Sequence, residues 1–196
     1  MNLSDYSSCH LCPRSCGIDR RVSSGFCGWG AALHYWEEPC ISGTRGSGTI
    51  FFSGCTLKCC FCQNYPISQQ GLGKELTIPQ LGDVFLSLQD QGAHNINLVT
   101  ATQYLPSVIT ALDLVKHKLA IPIGGYERVE IVRELADYVD IWLPDLKYYD
   151  TALSNRYSQA KNYFDHASEA ISQMVRQTGA PVLDSDGIMQ SGVIIR

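Results

Sequence analysis

Beyond residue 62 the chain alternates short apolar runs with stretches of helical periodicity, the pattern of repeated strand-helix units around a parallel sheet. Apolar runs predict strands at Thr49 to Phe52, Ile96 to Thr100, Leu119 to Ile123, Asp140 to Leu143 and Gly192 to Arg196. Between them, three sets keep helical spacing: Ile78, Leu81, Phe85 and Leu88; Leu105, Val108, Ile109, Leu112 and Val115; and Val129, Val132, Leu135 and Val139. A longer amphipathic segment places Ala160, Phe164, Ala167, Ile171 and Met174 on one face before Gly179 and Pro181 stop it. The predicted order is βαβαβαβαβ, an α/β chain. Parallel strands with right-handed crossovers close into a barrel or open into a doubly wound sheet, and in both the function collects at the carboxyl ends of the strands.

Of 196 residues, 45% are hydrophobic and 17% charged, enough to bury a core and to exclude general disorder. The length predicts one domain with an appendage. Lys and Arg number 15 against 19 Asp and Glu, so bulk positive charge offers no route to nucleic acid or to an anionic membrane surface. No apolar run reaches the ~18 residues of a membrane span. The opening residues lack the basic segment and apolar core of a signal peptide, which predicts a cytoplasmic protein with reduced thiols.

Nine cysteines change the picture. Cys9, Cys12, Cys16 and Cys27 form one group, and Cys55, Cys59, Cys60 and Cys62 a second, with Cys40 between them and none after residue 62. Clustered thiols in a reducing compartment mean metal or redox chemistry, so residues 1–45 read as a Cys-rich metal-binding segment ahead of the α/β unit at 46–196. Four ligands in the first group fit a closed zinc site or an iron-sulfur cluster equally. In the second, Cys55, Cys59 and Cys62 make a C-x3-C-x2-C run directly after the first strand. Three thiolates on one strand-end loop suit a [4Fe-4S] cluster with one open iron, whereas a zinc site would need Cys60 or Cys40 as its fourth ligand. Cys60 and Cys40 are otherwise expected as packed thiols.

Cys55-x3-Cys59-x-Phe61-Cys62 after strand one of a parallel α/β chain resembles the signature of the radical S-adenosylmethionine (SAM) superfamily. The segments at 46–55, 62–65 (Cys-Gln-Asn-Tyr), 95–100 (Asn-Ile-Asn-Leu-Val-Thr), 124–127 (Gly-Gly-Tyr-Glu) and 143–148 (Leu-Pro-Asp-Leu-Lys-Tyr) are similar to the pyruvate formate-lyase activating enzyme-like branch. The resemblance implies a partial (β/α) barrel whose [4Fe-4S] cluster binds SAM and cleaves it reductively to a 5′-deoxyadenosyl radical, the cofactors carrying the hard step. It implies that Phe61 packs near the adenine, that Thr100, Thr102 and Gln103 after strand two receive the SAM amino group, that Asp145 and Lys147 help hold its carboxylate, and that Arg196 reaches SAM. The implied partners are an electron donor such as flavodoxin or ferredoxin and a protein substrate, a glycyl radical enzyme, with a small-molecule substrate left open.

Two departures bear on activity. Strand three runs from Ile121-Pro122-Ile123 straight into Gly124, without the short polar segment of the branch, and the chain ends at Arg196 inside strand five, which reads as a truncated barrel. The competing readings are therefore a non-catalytic iron-sulfur or electron-transfer module that has lost productive SAM binding, and a zinc-binding adaptor. The five histidines share no ligand spacing, Gly43, Gly46 and Gly48 precede a strand instead of following one, and no His-x-Glu accompanies a Pro-Cys-x-x-Cys, so phosphate-loop and deaminase chemistry are excluded.

Overall fold

The computed structural model describes residues 1–28, 33–40, 46–115, 119–121 and 125–196, with backbone alone for 33–40 and 119–121. The chain runs through Leu33–Cys40 (β1), Ser47–Phe52 (β2), Tyr65–Ser68 (α1), Lys74–Leu76 (β3), Ile78–Asp90 (α2) and Ile96–Val99 (β4). Leu105–Val115 (α3), Leu119–Ile121 (β5), Val129–Glu134 (α4) and Val139–Trp142 (β6) follow. Thr151–Ser158 (α5), Tyr163–Thr178 (α6), Val182–Leu183 (β7) and Met189–Val193 (β8) complete it.

The strand order is β3-β1-β2-β4-β5-β6-β8-β7. β2, β4, β5, β6 and β8 pair in parallel, while β1 lies antiparallel to β2 and β3, and β7 to β8. Helices carry the crossovers, and their apolar stripes meet the strands: Leu81, Phe85 and Leu88 of α2, Val108, Ile109 and Leu112 of α3, Val132 of α4, and Ile171 and Met174 of α6 are buried with Ile50, Phe52, Leu98 and Trp142. Thr77 and Gln80 close α2 with a reciprocal capping box, Thr77 N donating to Gln80 Oε1 at 2.9 Å. No helix among the described residues is long and apolar enough to cross a membrane.

Several expectations need correction. The amphipathic segment expected from Ala160 is α6, but Ala160 itself packs in the turn before it, and a helix that was not expected precedes it: Asp150 caps α5 and Gln159 in the left-handed conformation (φ 53°) ends it. Val139, expected on the α4 stripe, opens β6, because a turn at 135–138 stops the helix first. β8 begins at Met189, not Gly192, yet its parallel bonding persists to the chain end, with Ile194 N donating to Trp142 O (2.9 Å) and Arg196 N to Pro144 O (3.0 Å). β1 falls within the expected Cys-rich segment but pairs along its length with β2, so the sheet starts before residue 45. Residues 122–124, where the polar segment of strand three is missing, and the side chain of Cys40 lie outside the described residues.

Candidate functional site

The loop after β2 leaves the sheet through Gly54 (φ 84°), whose N–H donates to Ile67 O. Each of the three expected ligands then meets a hydrogen-bonding group. Leu57 N donates to Cys55 Sγ (3.4 Å), Ser158 Oγ donates to Cys59 Sγ (2.9 Å), and Cys62 Sγ and Ser68 Oγ share a bond of 3.3 Å. All three thiols are free of disulfides. Burial pushes the Cys55 thiol up to about 12, and the charges of Cys59 and Cys62 push it the same way. Cys59 is also raised by burial, against the pull of the Ser158 hydrogen bond and the Lys147 charge. The sulfurs therefore sense one another, and a cation among them would turn mutual repulsion into ligation. Among the described residues, no three His, Cys, Asp or Glu side chains converge closely enough to hold a metal ion as they stand. Cys60, expected as a packed thiol, is exposed: its amide is tied to Tyr157 O (2.9 Å) while its side chain faces solvent.

Around this loop stand the ends of the parallel strands. Thr100, just past β4, holds φ at 57°, an uncommon conformation for a β-branched residue, while its hydroxyl donates to Phe52 O (2.8 Å). Thr102 is buried and donates to Glu127 Oε1 at 2.7 Å. Gln103 is buried too, its Nε2 donating to Ser53 O and Gly54 O at 3.2 Å each. Both spend these donors on the protein, and Gln103 braces the residues that lead into the cysteine loop. Phe61 is 54% exposed and meets Tyr148 edge-to-face, with ring centroids 6.3 Å apart.

Asp145, Lys147 and Arg196 do come together. Lys147 Nζ pairs with Asp145 Oδ2, and Arg196 Nε lies 3.1 Å from Asp145 Oδ1. Two cations share one carboxylate. Tyr163 fixes the backbone there, its hydroxyl donating to Asp145 O (2.6 Å) and accepting from Lys147 N (3.2 Å). Gly125 permits the close approach: at φ 77°, a Cβ on it would lie 2.0 Å from Asp145 O.

The first cysteine group forms a knuckle beside the loop. Cys9 N donates to Ile18 O and Gly17 N to Cys9 O (2.9 Å each), and Ser15 N closes a turn on Cys12 O (2.9 Å). Cys9, Cys12 and Cys27 are buried and Cys16 is exposed, and all four line one small cavity with Arg14, Phe26, Thr56 and Gln103. A Cβ on Gly25 would lie 3.5 Å from both Cys16 Sγ and Cys27 Sγ, so these two sulfurs face a common point. Burial pushes Cys12 up to about 12, and Cys9 and Cys27 add to it. Cys27 O accepts from Cys55 N (3.2 Å), which joins the two groups directly.

Sequence reasoning missed four residues of this site. Arg14 reaches from the knuckle to the loop, Arg20 is buried and donates to Gln103 O, Ser158 supports Cys59, and Glu127 sits fully buried with Oε2 unpartnered. Burial pushes Glu127 up to about 8 against the Thr102 hydrogen bond, and its charge is felt at both Cys12 and Cys55. Arg14 had a signal, its place between two spaced cysteines. Ser158 and Arg20 had none, because tertiary contact alone brings them in.

No protein-family model matches the chain. It is similar to an uncharacterized protein of Methanocaldococcus jannaschii, 31% identical over 179 residues that cover 82% of this chain and 51% of that protein. The chain thus spans about half the length of the curated relative it matches.

Proposed function

We propose that the chain is a radical SAM iron-sulfur protein on a partial (β/α) barrel, with Cys55, Cys59 and Cys62 as ligands of a [4Fe-4S] cluster. The observation that carries this reading is the trio of free thiols on one strand-end loop, each met by its own hydrogen-bonding group. Such contacts orient thiolate ligands and tune a cluster's potential. When bound, the cluster and SAM supply reductive cleavage to a 5′-deoxyadenosyl radical. Lys147 and Arg196 offer the SAM carboxylate their cationic groups, with Asp145 keeping both in place. Exposed Phe61 has a free ring face for an adenine. Cys9, Cys12, Cys16 and Cys27 take zinc or a second cluster. The substrate is a protein glycine or a small molecule, the electron donor a flavodoxin or ferredoxin, and the compartment the reducing cytoplasm.

A second reading is favoured by the inward commitment of Thr102 and Gln103, which takes two of the three expected partners from the SAM amino group. Under it the chain keeps its metals as an electron-transfer or zinc-binding module without SAM cleavage. Electron paramagnetic resonance on anaerobically reconstituted, dithionite-reduced protein, with iron and zinc quantified before and after SAM addition, separates the two. A reduced [4Fe-4S] signal that changes with SAM supports the enzyme. A signal indifferent to SAM supports the module, and zinc without iron removes the iron-sulfur assignment.

A further inference from the structure

Arg14 stands in the turn between Cys12 and Cys16, and its guanidinium leaves that turn for the other cysteine loop. Nε donates to Thr56 O at 2.9 Å and Nη2 to Ser158 O at 3.5 Å. Thr56 directly follows Cys55. Ser158 is a junction: its carbonyl also accepts from Lys58 N (3.1 Å), and its hydroxyl donates to Cys59 Sγ. On the knuckle side the Phe26 ring, next to Cys27, covers the guanidinium at 3.7 Å, with Tyr126 at 5.4 Å. A rigid, planar donor fork is thus clamped at its base by one cysteine group and engages two carbonyls that shape the loop of the other.

We propose that Arg14 is a positioning residue that couples the two cysteine groups, so that metal held by Cys9, Cys12, Cys16 and Cys27 fixes the Cys55–Cys62 loop. Without metal, the turn carrying Arg14 is held by the Ser15–Cys12 and Gly17–Cys9 backbone bonds. Ligation through Cys12 and Cys16 pins the turn on both sides of Arg14 and removes the freedom of the guanidinium, and the ordering passes to Thr56 and Ser158. The inference rests on reading the first group as a metal site and on nothing about chemistry at the strand ends.

The test uses the full chain with Cys59→Ala and Cys62→Ala, so that added zinc ion has only the first group as a multidentate site, and reads amide hydrogen exchange with and without zinc. Zinc is expected to slow exchange at Cys9 and Gly17 within the knuckle and also at Lys58 and Cys60, whose amides are bonded to Ser158 O and Tyr157 O. Adding Arg14→Met keeps the slowing at Cys9 and Gly17 but abolishes it at Lys58 and Cys60. Arg14→Lys restores part of it, since an ammonium still reaches Thr56 O. Equal slowing at Lys58 and Cys60 with Arg14→Met overturns the coupling, as does zinc that slows neither of these amides in the parent or leaves Cys9 and Gly17 unprotected. The SAM-dependent resonance experiment on the chain with all its cysteines is independent, so failure of the radical reading and failure of this coupling are separate results.

Discussion

Ser158 donates its hydroxyl to the Cys59 sulfur at 2.9 Å, across 99 residues of sequence. The bond comes from the last residue of α5, whose position Gln159 secures by ending the helix in a left-handed conformation. A hydrogen bond to a thiolate stabilises the more negatively charged, reduced state of a cluster. Ser158→Ala is expected to leave iron content intact, to lower the midpoint potential of the proposed strand-end cluster, and to cost about 1 kcal/mol of stability. A potentiometric titration followed by electron paramagnetic resonance checks it, and an unchanged potential contradicts it.

Cys59 and Cys60 are adjacent and opposite in fate, one buried against Ser158 and the other in solvent. Cys59→Ala is expected to abolish the proposed strand-end cluster and the proposed SAM cleavage, whereas Cys60→Ala leaves both intact. Iron and acid-labile sulfide per chain measure the difference. Loss of the cluster from the Cys60 variant would show that Cys60, not Cys59, is the third thiolate.

The apolar stripes of α2, α3 and α6 were legible because each burial face recurs at helical spacing and nothing else competes for those residues. The helix α5 was not, since Thr151–Ser158 carries no apolar stripe: it buries Ser154 and Ser158 and leaves Leu153 exposed. β1 was hidden for a different reason: Leu33-His-Tyr-Trp-Glu-Glu-Pro-Cys shows no alternation, and its pairing with β2 and β3 is a tertiary fact. Among the site residues, the cysteines followed from their spacing, and the Asp145, Lys147 and Arg196 group from the family resemblance. Thr102 and Gln103 kept their expected location but face inward, because Glu127 and the carbonyls of Ser53 and Gly54 lie within their reach.

Gly125 and Gly179 share a positive φ, 77° and 72°, but not a neighbourhood. A methyl at Gly125 meets the Asp145 carbonyl oxygen at 2.0 Å, whereas one at Gly179 meets nothing within 4 Å. Gly179, at φ 72° and ψ −150°, lies in a region all but reserved for glycine, so Gly179→Ala is expected to cost the backbone term alone, roughly 1–3 kcal/mol. Gly125→Ala adds a clash with rigid backbone and is expected to cost more than ~3 kcal/mol, displacing Asp145 from Lys147 and Arg196. Urea unfolding of both variants compares them, and equal losses would remove the case for the close approach.

Glu127 gives the metal-free chain a defined pH dependence. Its carboxyl ordinarily titrates at 4.5 and is raised to about 8 when folded, chiefly by burial. Between those values the folded state binds a proton that the unfolded state has released, so stability falls as pH rises through the window. The contribution is fully present below pH 4.5 and lost above about 8. At ~1.4 kcal/mol per pH unit the window spans roughly 4–5 kcal/mol as an upper bound. Cys12 and Cys55 carry the same sign, but their window opens only above their ordinary value of 9.0. Glu127→Gln keeps an acceptor for Thr102 and cannot ionise. It is expected to be less stable than, or equal to, the parent at pH 5 and more stable at pH 8.5, by urea unfolding under reducing, metal-free conditions. Parallel stability curves for the two chains across that range would place the Glu127 carboxyl at its ordinary value.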